Sequence, residues 1–105
     1  MYVRIARFEG ADPNWDDRIS EVRRRMRGDE GGDAAMPLDG VRDRIDRAMM
    51  LVDRANNRAA SVMFCDSEED LRAVDEAMNR MTPPTGAGVR SVVEIYEVAV
   101  DERPA

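Results

Sequence analysis

Apolar side chains recur along the chain at two periods, and the changes of period mark six elements. Tyr2 to Glu9 is rich in β-branched and aromatic residues and runs into Gly10, a strand with a stop. Asp12-Pro13 then starts a helix, with Asp12 placed to cap free amides and Pro13 where its missing N–H costs nothing. Trp15, Ile19, Val22 and Met26 make one stripe at helical spacing. Asp16 and Asp17 lie near its start and Arg23, Arg24, Arg25 and Arg27 near its end, a polarity that suits the helix dipole. Gly28 ends it. The Gly- and Asp-rich stretch 28–40, with Pro37, reads as a mobile loop. Val41 to Asp46 is open between loop and a short helical turn that puts Val41 and Ile45 on one side.

Arg47–Arg54 and Ala59–Asp66 are apolar runs joined through Ala55-Asn56-Asn57-Arg58; asparagine tolerates positive φ, so a β-hairpin is predicted. Ser67-Glu68-Glu69-Asp70 has capping-box spacing, although Asp closes the box less well than Glu. Leu71, Val74, Met78 and Met81 stripe a second helix, which Pro83-Pro84 and Gly86-Ala87-Gly88 stop. Ser91 to Val100 is the last strand. The order strand, helix, strand, strand, helix, strand predicts an α+β, ferredoxin-like βαββαβ domain over residues 1–105. Its four antiparallel strands carry both helices on one face, and 28–46 is a loop or short helical insertion.

The last strand breaks the alternation expected of a half-wetted strand. Val92, Tyr96, Val98 and Val100 fall on one side and Val93, Ile95 and Ala99 on the other. Two helices suffice for one face of the sheet only. The other would carry, depending on register, some of Tyr2, Ala6, Phe8, Met49, Leu51, Met63, Tyr96 and Val98. Leaving such side chains wet forfeits roughly 1.5–3 kcal/mol each. The expected remedy is a homodimer, sheet packed on sheet across a two-fold axis. A monomer with a cleft on its open face is the other solution.

Composition narrows the chemistry. All 16 basic residues are arginine, which removes lysine Schiff-base catalysis. Histidine is absent, which removes Ser-His-Asp and Cys-His arrangements and histidine metal ligands. The single cysteine, Cys65, permits no intrachain disulfide and points to a reducing compartment. Net charge is -6 with a pI near 4.7, which disfavours nucleic-acid backbones. The opening Met-Tyr-Val-Arg-Ile-Ala-Arg lacks the apolar core of a signal peptide, and no apolar run approaches the roughly 20 residues that span a bilayer. A soluble cytoplasmic protein is expected, with no nucleic-acid or membrane partner. Asp39, Asp43 and Asp46 lack calcium-loop spacing, and no metal or cofactor is expected.

Strand parity yields one candidate site. If Tyr2, Arg4, Ala6 and Phe8 point away from the helices together with Ser61, Met63 and Cys65, and with Glu94 and Tyr96, they line a cavity between sheet and partner. Arg4 would hold an anionic or enolate oxygen, Tyr96 would donate a hydrogen bond and Glu94 would take a proton, which makes these the catalytic candidates. Tyr2, Phe8, Met49, Ser61, Met63 and Cys65 are the ligand-binding candidates. The plainer alternative is an Arg4–Glu94 ion pair inside the interface, with the tyrosines as packing anchors. Cys65 in an apolar strand reads more simply as an inert core residue than as a nucleophile. The Arg23-Arg24-Arg25 run reads as a solvated helix end, supported by the Glu21 to Arg25 spacing.

Four segments carry a resemblance: Tyr-Val-Arg-Ile-Ala-Arg-Phe-Glu-Gly, Met-Leu-Val-Asp-Arg, Asp-Ser-Glu-Glu-Asp-Leu-Arg and Val-Glu-Ile-Tyr-Glu-Val. With the element order, they resemble the dimeric α/β-barrel superfamily, in particular small proteins like the antibiotic biosynthesis monooxygenases. The resemblance covers nearly the whole chain except 28–46, and its motifs belong to fold rather than catalysis. It implies a dimer with a pocket between sheet and helices for a hydrophobic or aromatic small molecule. The superfamily includes cofactor-independent monooxygenases, haem-degrading enzymes and members without assigned chemistry. The haem-degrading branch uses an Asn, a Trp and a His, and this chain has no His. Three readings follow: a noncatalytic ligand-binding homodimer, a cofactor-independent monooxygenase, and a purely structural dimer.

Overall fold

The computed structural model describes residues 1–10, 14–27, 40–80 and 89–104. Strands β1 (Tyr2–Glu9), β2 (Arg47–Asp53), β3 (Arg58–Cys65) and β4 (Val89–Glu97) form one open antiparallel sheet in the order β2-β3-β1-β4. Helices α1 (Trp15–Arg27) and α2 (Glu68–Asn79) complete an α+β arrangement compatible with a ferredoxin-like fold. A 3-10 turn at Arg42–Arg44 precedes β2 and settles the ambiguous stretch as the helical solution. Val41 and Ile45, either side of it, both pack on the core. The Asp12-Pro13 start of α1, its Gly28 stop, the 28–39 loop, Met81 and the Pro/Gly segment before β4 lie outside the described residues.

Local sequence accounts for the element ends that are described. Ser67 caps α2, its Oγ accepting from the Asp70 amide at 3.1 Å. The box stays half-closed, because the Asp70 carboxylate instead accepts from Arg44 at 3.1 Å. The hairpin turns on Asn57, whose φ of 53° lies in the left-handed region. Asp53 staples that turn: its carboxylate accepts from the Asn56 amide and side chain and from Arg58 Nε at 2.9 Å. The Glu21–Arg25 pair forms on α1 at 3.0 Å.

Register assigns every strand residue to a face. Tyr2, Arg4, Ala6 and Phe8 of β1 oppose Cys65, Met63, Ser61 and Ala59 of β3. This is the helix side, since Leu71, Val74 and Met78 of α2 pack with Met63 and Cys65, joined by Tyr2, Ala48 and Met26 of α1. Among the described residues the one charged side chain buried here is Arg4, 1% exposed. Its Nε meets Asp75 Oδ1 at 2.8 Å and its Nη2 meets Asn79 Oδ1 at 3.1 Å, so α2 supplies both partners.

A register shift in the β1–β4 ladder lets Arg7 face Val92 while Phe8 faces Arg90, leaving Ser91 as the extra residue of a bulge. That slip carries Arg90 to the helix side, where it donates to Asn79 Oδ1 at 3.0 Å. Arg4, Asp75, Asn79 and Arg90 thus bind β1, α2 and β4 into one polar network.

The two ends of this network should respond unequally. Asp75→Ala strands a buried guanidinium and is expected to cost about 3–5 kcal/mol. Arg4→Met leaves a carboxylate that is already 26% exposed and can rehydrate, so its cost should be smaller. Urea denaturation of both variants measures the difference.

Candidate functional site

The opposite face of the sheet is where described side chains stay uncovered. Its rows, read from β2 to β4, are Arg47, Phe64, Val3, Tyr96; then Met49, Val62, Ile5, Glu94; then Leu51, Ala60, Arg7, Val92. A last row holds Asp53, Arg58, Glu9 and Val89. Leu51, Val92 and Tyr96 are 51%, 41% and 50% exposed, although each is large and apolar for most of its surface. Val3 and Val62 are buried even here, flanked by bulky neighbours in their own rows. Apolar side chains fill the middle of this face, and charged ones stand at its margin and around β1.

The polar group on this face is Arg7, Glu94 and Tyr96. Arg7 Nε donates to Glu94 Oε1 at 2.7 Å, and the Tyr96 hydroxyl donates to Glu94 Oε2. β1 and β4 set the geometry: Glu94 lies opposite Ile5, so Arg7 is its diagonal neighbour across the ladder and Tyr96 its same-face neighbour two residues along β4. The Tyr96 and Arg7 hydrogen bonds hold the Glu94 carboxyl below the usual carboxylate range. The same bond to Glu94 pushes the Tyr96 hydroxyl above the ordinary tyrosine value, and Glu94 raises the Arg7 guanidinium. At neutral pH the cluster is therefore an ionised carboxylate between a guanidinium and a phenol.

Beside it lies a depression of about 310 Å³ over β1, β2 and β3 at the hairpin end. On the open face its floor is Leu51 and Ala60, and Arg7, Arg58, Glu9 and Asp53 stand at its sides. Among the described residues no group of three or more His, Cys, Asp or Glu side chains is placed to hold a metal ion. Among them, too, no helix is long and apolar enough to cross a membrane.

The sheet divides the residues that parity had gathered. Tyr2, Arg4, Phe8, Ser61, Met63 and Cys65 face the helices, whereas Met49, Glu94 and Tyr96 face the other way. Arg4 does not meet Glu94: it is committed to Asp75 and Asn79, while Arg7, three residues on and of opposite parity, makes the Glu94 pair. Met63 and Cys65 are 2% and 0% exposed and belong to the core. Burial, with Asp70, Asp66 and Asp46 nearby, pushes the Cys65 thiol up, against a nucleophilic role. The missed residue is Arg7. The sequence did hold its signal, since an arginine between Ile5 and Val92 on an apolar face needs a carboxylate, and Glu94 is its diagonal neighbour.

Comparison of the chain with protein-family models, with curated proteins and with solved structures finds no match.

Two measurements test this geometry. In a Tyr2→Phe background the remaining tyrosine should titrate above the ordinary value by ultraviolet absorbance, and Glu94→Gln should bring it back down. Tyr96 donates only while protonated, so its contribution is complete below the ordinary tyrosine range and fades as pH rises through the raised value. The Glu94 contribution has the opposite sense: complete above the ordinary carboxylate range, it fades as pH falls through the lowered value. Separately, Cys65 should react with a thiol reagent far more slowly in the folded protein than in denaturant.

Proposed function

We propose that the protein is a homodimer of the dimeric α/β-barrel type that binds a hydrophobic or aromatic small molecule between its two sheets. The observation that carries this reading is the uncovered apolar face with its polar margin, the layout of a protein–protein interface. Charge supports a second copy as the occupant. The chain is at -6, yet this face sets Arg7, Arg47 and Arg58 against Glu9, Asp53 and Glu94. Two such faces approach without the repulsion that the whole chain would impose. The segments that resemble the superfamily agree with a dimer, and the free cysteine agrees with a cytoplasmic setting.

A catalytic reading, cofactor-independent oxygenation of a phenolic molecule, is favoured by the Arg7–Glu94–Tyr96 cluster. Glu94 is a weak base, suited to a substrate whose hydroxyl is already acidic, and Arg7 is placed to steady the resulting oxyanion. Oxygen consumption with hydroxylated polycyclic aromatics should then fall at least tenfold in Glu94→Gln. The same rate in both proteins discards the catalytic reading.

Sedimentation tests the dimer. A species of twice 11.8 kDa is expected at low micromolar concentration. Leu51→Asp, at a half-exposed position where the subunit fold tolerates a charge, should give a monomer with unchanged circular dichroism. A wild-type monomer overturns the reading. A dimer whose melting temperature no hydrophobic or aromatic compound raises would make it a purely structural one.

A further inference from the structure

Both arginines beside the depression are engaged in the same lopsided way. Arg7 meets Glu94 through Nε at 2.7 Å, and Arg58 meets Asp53 through Nε at 2.9 Å. Neither makes a hydrogen bond through its terminal nitrogens to any described residue. A guanidinium held from the side keeps its end-on fork of N–H donors, the edge that matches a carboxylate in a bidentate pair. Of the two, Arg7 shares its row with Leu51 and Ala60, the apolar floor, whereas Arg58 stands in the outer row between Asp53 and Glu9. The small Ala60 side chain, between Leu51 and Arg7, leaves room above the floor.

We infer that this depression binds a small molecule with a flat apolar body and one carboxylate, the body on Leu51 and Ala60 and the carboxylate on the terminal nitrogens of Arg7. The inference rests on the ligand-binding reading above and gives its ligand a chemical class. Glu94 serves here as a positioning residue: it fixes the guanidinium plane, and its charge is already spent on Arg7 and Tyr96. Glu9 is the counterweight. It has no hydrogen-bond partner among the described residues, and a site governed by it would choose an amine instead. Its place at the end of β1, opposite Arg58 and a row away from the floor, leaves Arg7 as the charge that adjoins the apolar surface.

Calorimetric titration with 2-naphthoate, 2-naphthamide and 2-naphthylmethylamine separates these cases. The carboxylate should bind at least tenfold more tightly than the isosteric amide, and the amine should bind no better than the amide. Arg7→Met should erase the carboxylate's advantage while leaving amide binding as it was, and Arg58→Met should change either by less than threefold. Equal binding of acid and amide, a preference for the amine, an unaffected Arg7→Met, or no naphthoate binding up to millimolar concentration each overturns the inference. Sedimentation of the same samples without ligand keeps the outcomes apart: a dimer that ignores naphthoate defeats the ligand class alone, and a monomer that binds it defeats the dimer alone.

Discussion

The Arg4 guanidinium, buried beneath α2 and answered there by Asp75 and Asn79, decides which face of the sheet is closed. Side chains in a strand have a period of two, so a slip of one residue in β1 would expose that cation and bring Ile5 and Arg7 under the helix. Arg7 has no counterpart on α2 comparable to the Asp75–Asn79 pair. A lone buried cation costs several kcal/mol, more than any one apolar contact here can offset. The ion pair therefore acts as a registration mark: its contribution to stability matters less than the alternatives it forbids.

Once β1 is fixed, the rest of the sheet follows. β3 must bring Met63 and Cys65 to α2, β2 must bring Ala48, and Met49, Leu51, Val62 and Phe64 are left on the far side. The apolar side chains of that far side are thus the ones that this register leaves away from the helices. β4 is covered less completely, because Ile95 lies on the helix side and is still 47% exposed. At this edge of the sheet α2 reaches β1 and β3 with its packed residues and leaves the outermost strand partly bare.

Much of this was legible in the residues. The element order, the Asn-rich hairpin, the Ser67 cap and the stripe of Leu71, Val74 and Met78 are local signals, and the structure carries each of them. What periodicity could not supply was phase. Tyr2, Arg4, Ala6 and Phe8 form as regular a set as Val3, Ile5 and Arg7 with Glu9, and both contain an arginine. The choice lay in Asp75 and Asn79, some seventy residues away, whose spacing of four places them on one side of α2 beside β1. The arginine beside Glu94 and Tyr96 is Arg7, of the other parity from the expected Arg4. The extra residue at Ser91 was invisible for a different reason: a bulge leaves no mark in a strand whose two sides are both apolar.

That bulge makes β4 a strand in two phases. From Val92 onward its even-numbered residues face the open side, whereas before Ser91 the even-numbered Arg90 faces α2. Were Ser91 instead paired in an unbroken ladder, it would take the place opposite Phe8, and Arg90 would move through the sheet to the other surface. There it would join Arg7, Arg47 and Arg58 against the same three carboxylates, Glu9, Asp53 and Glu94, and a face of balanced charge would become a cationic one. A single misfit in hydrogen-bonding rhythm thus sets both the anchorage of a helix and the electrical balance of the surface behind it.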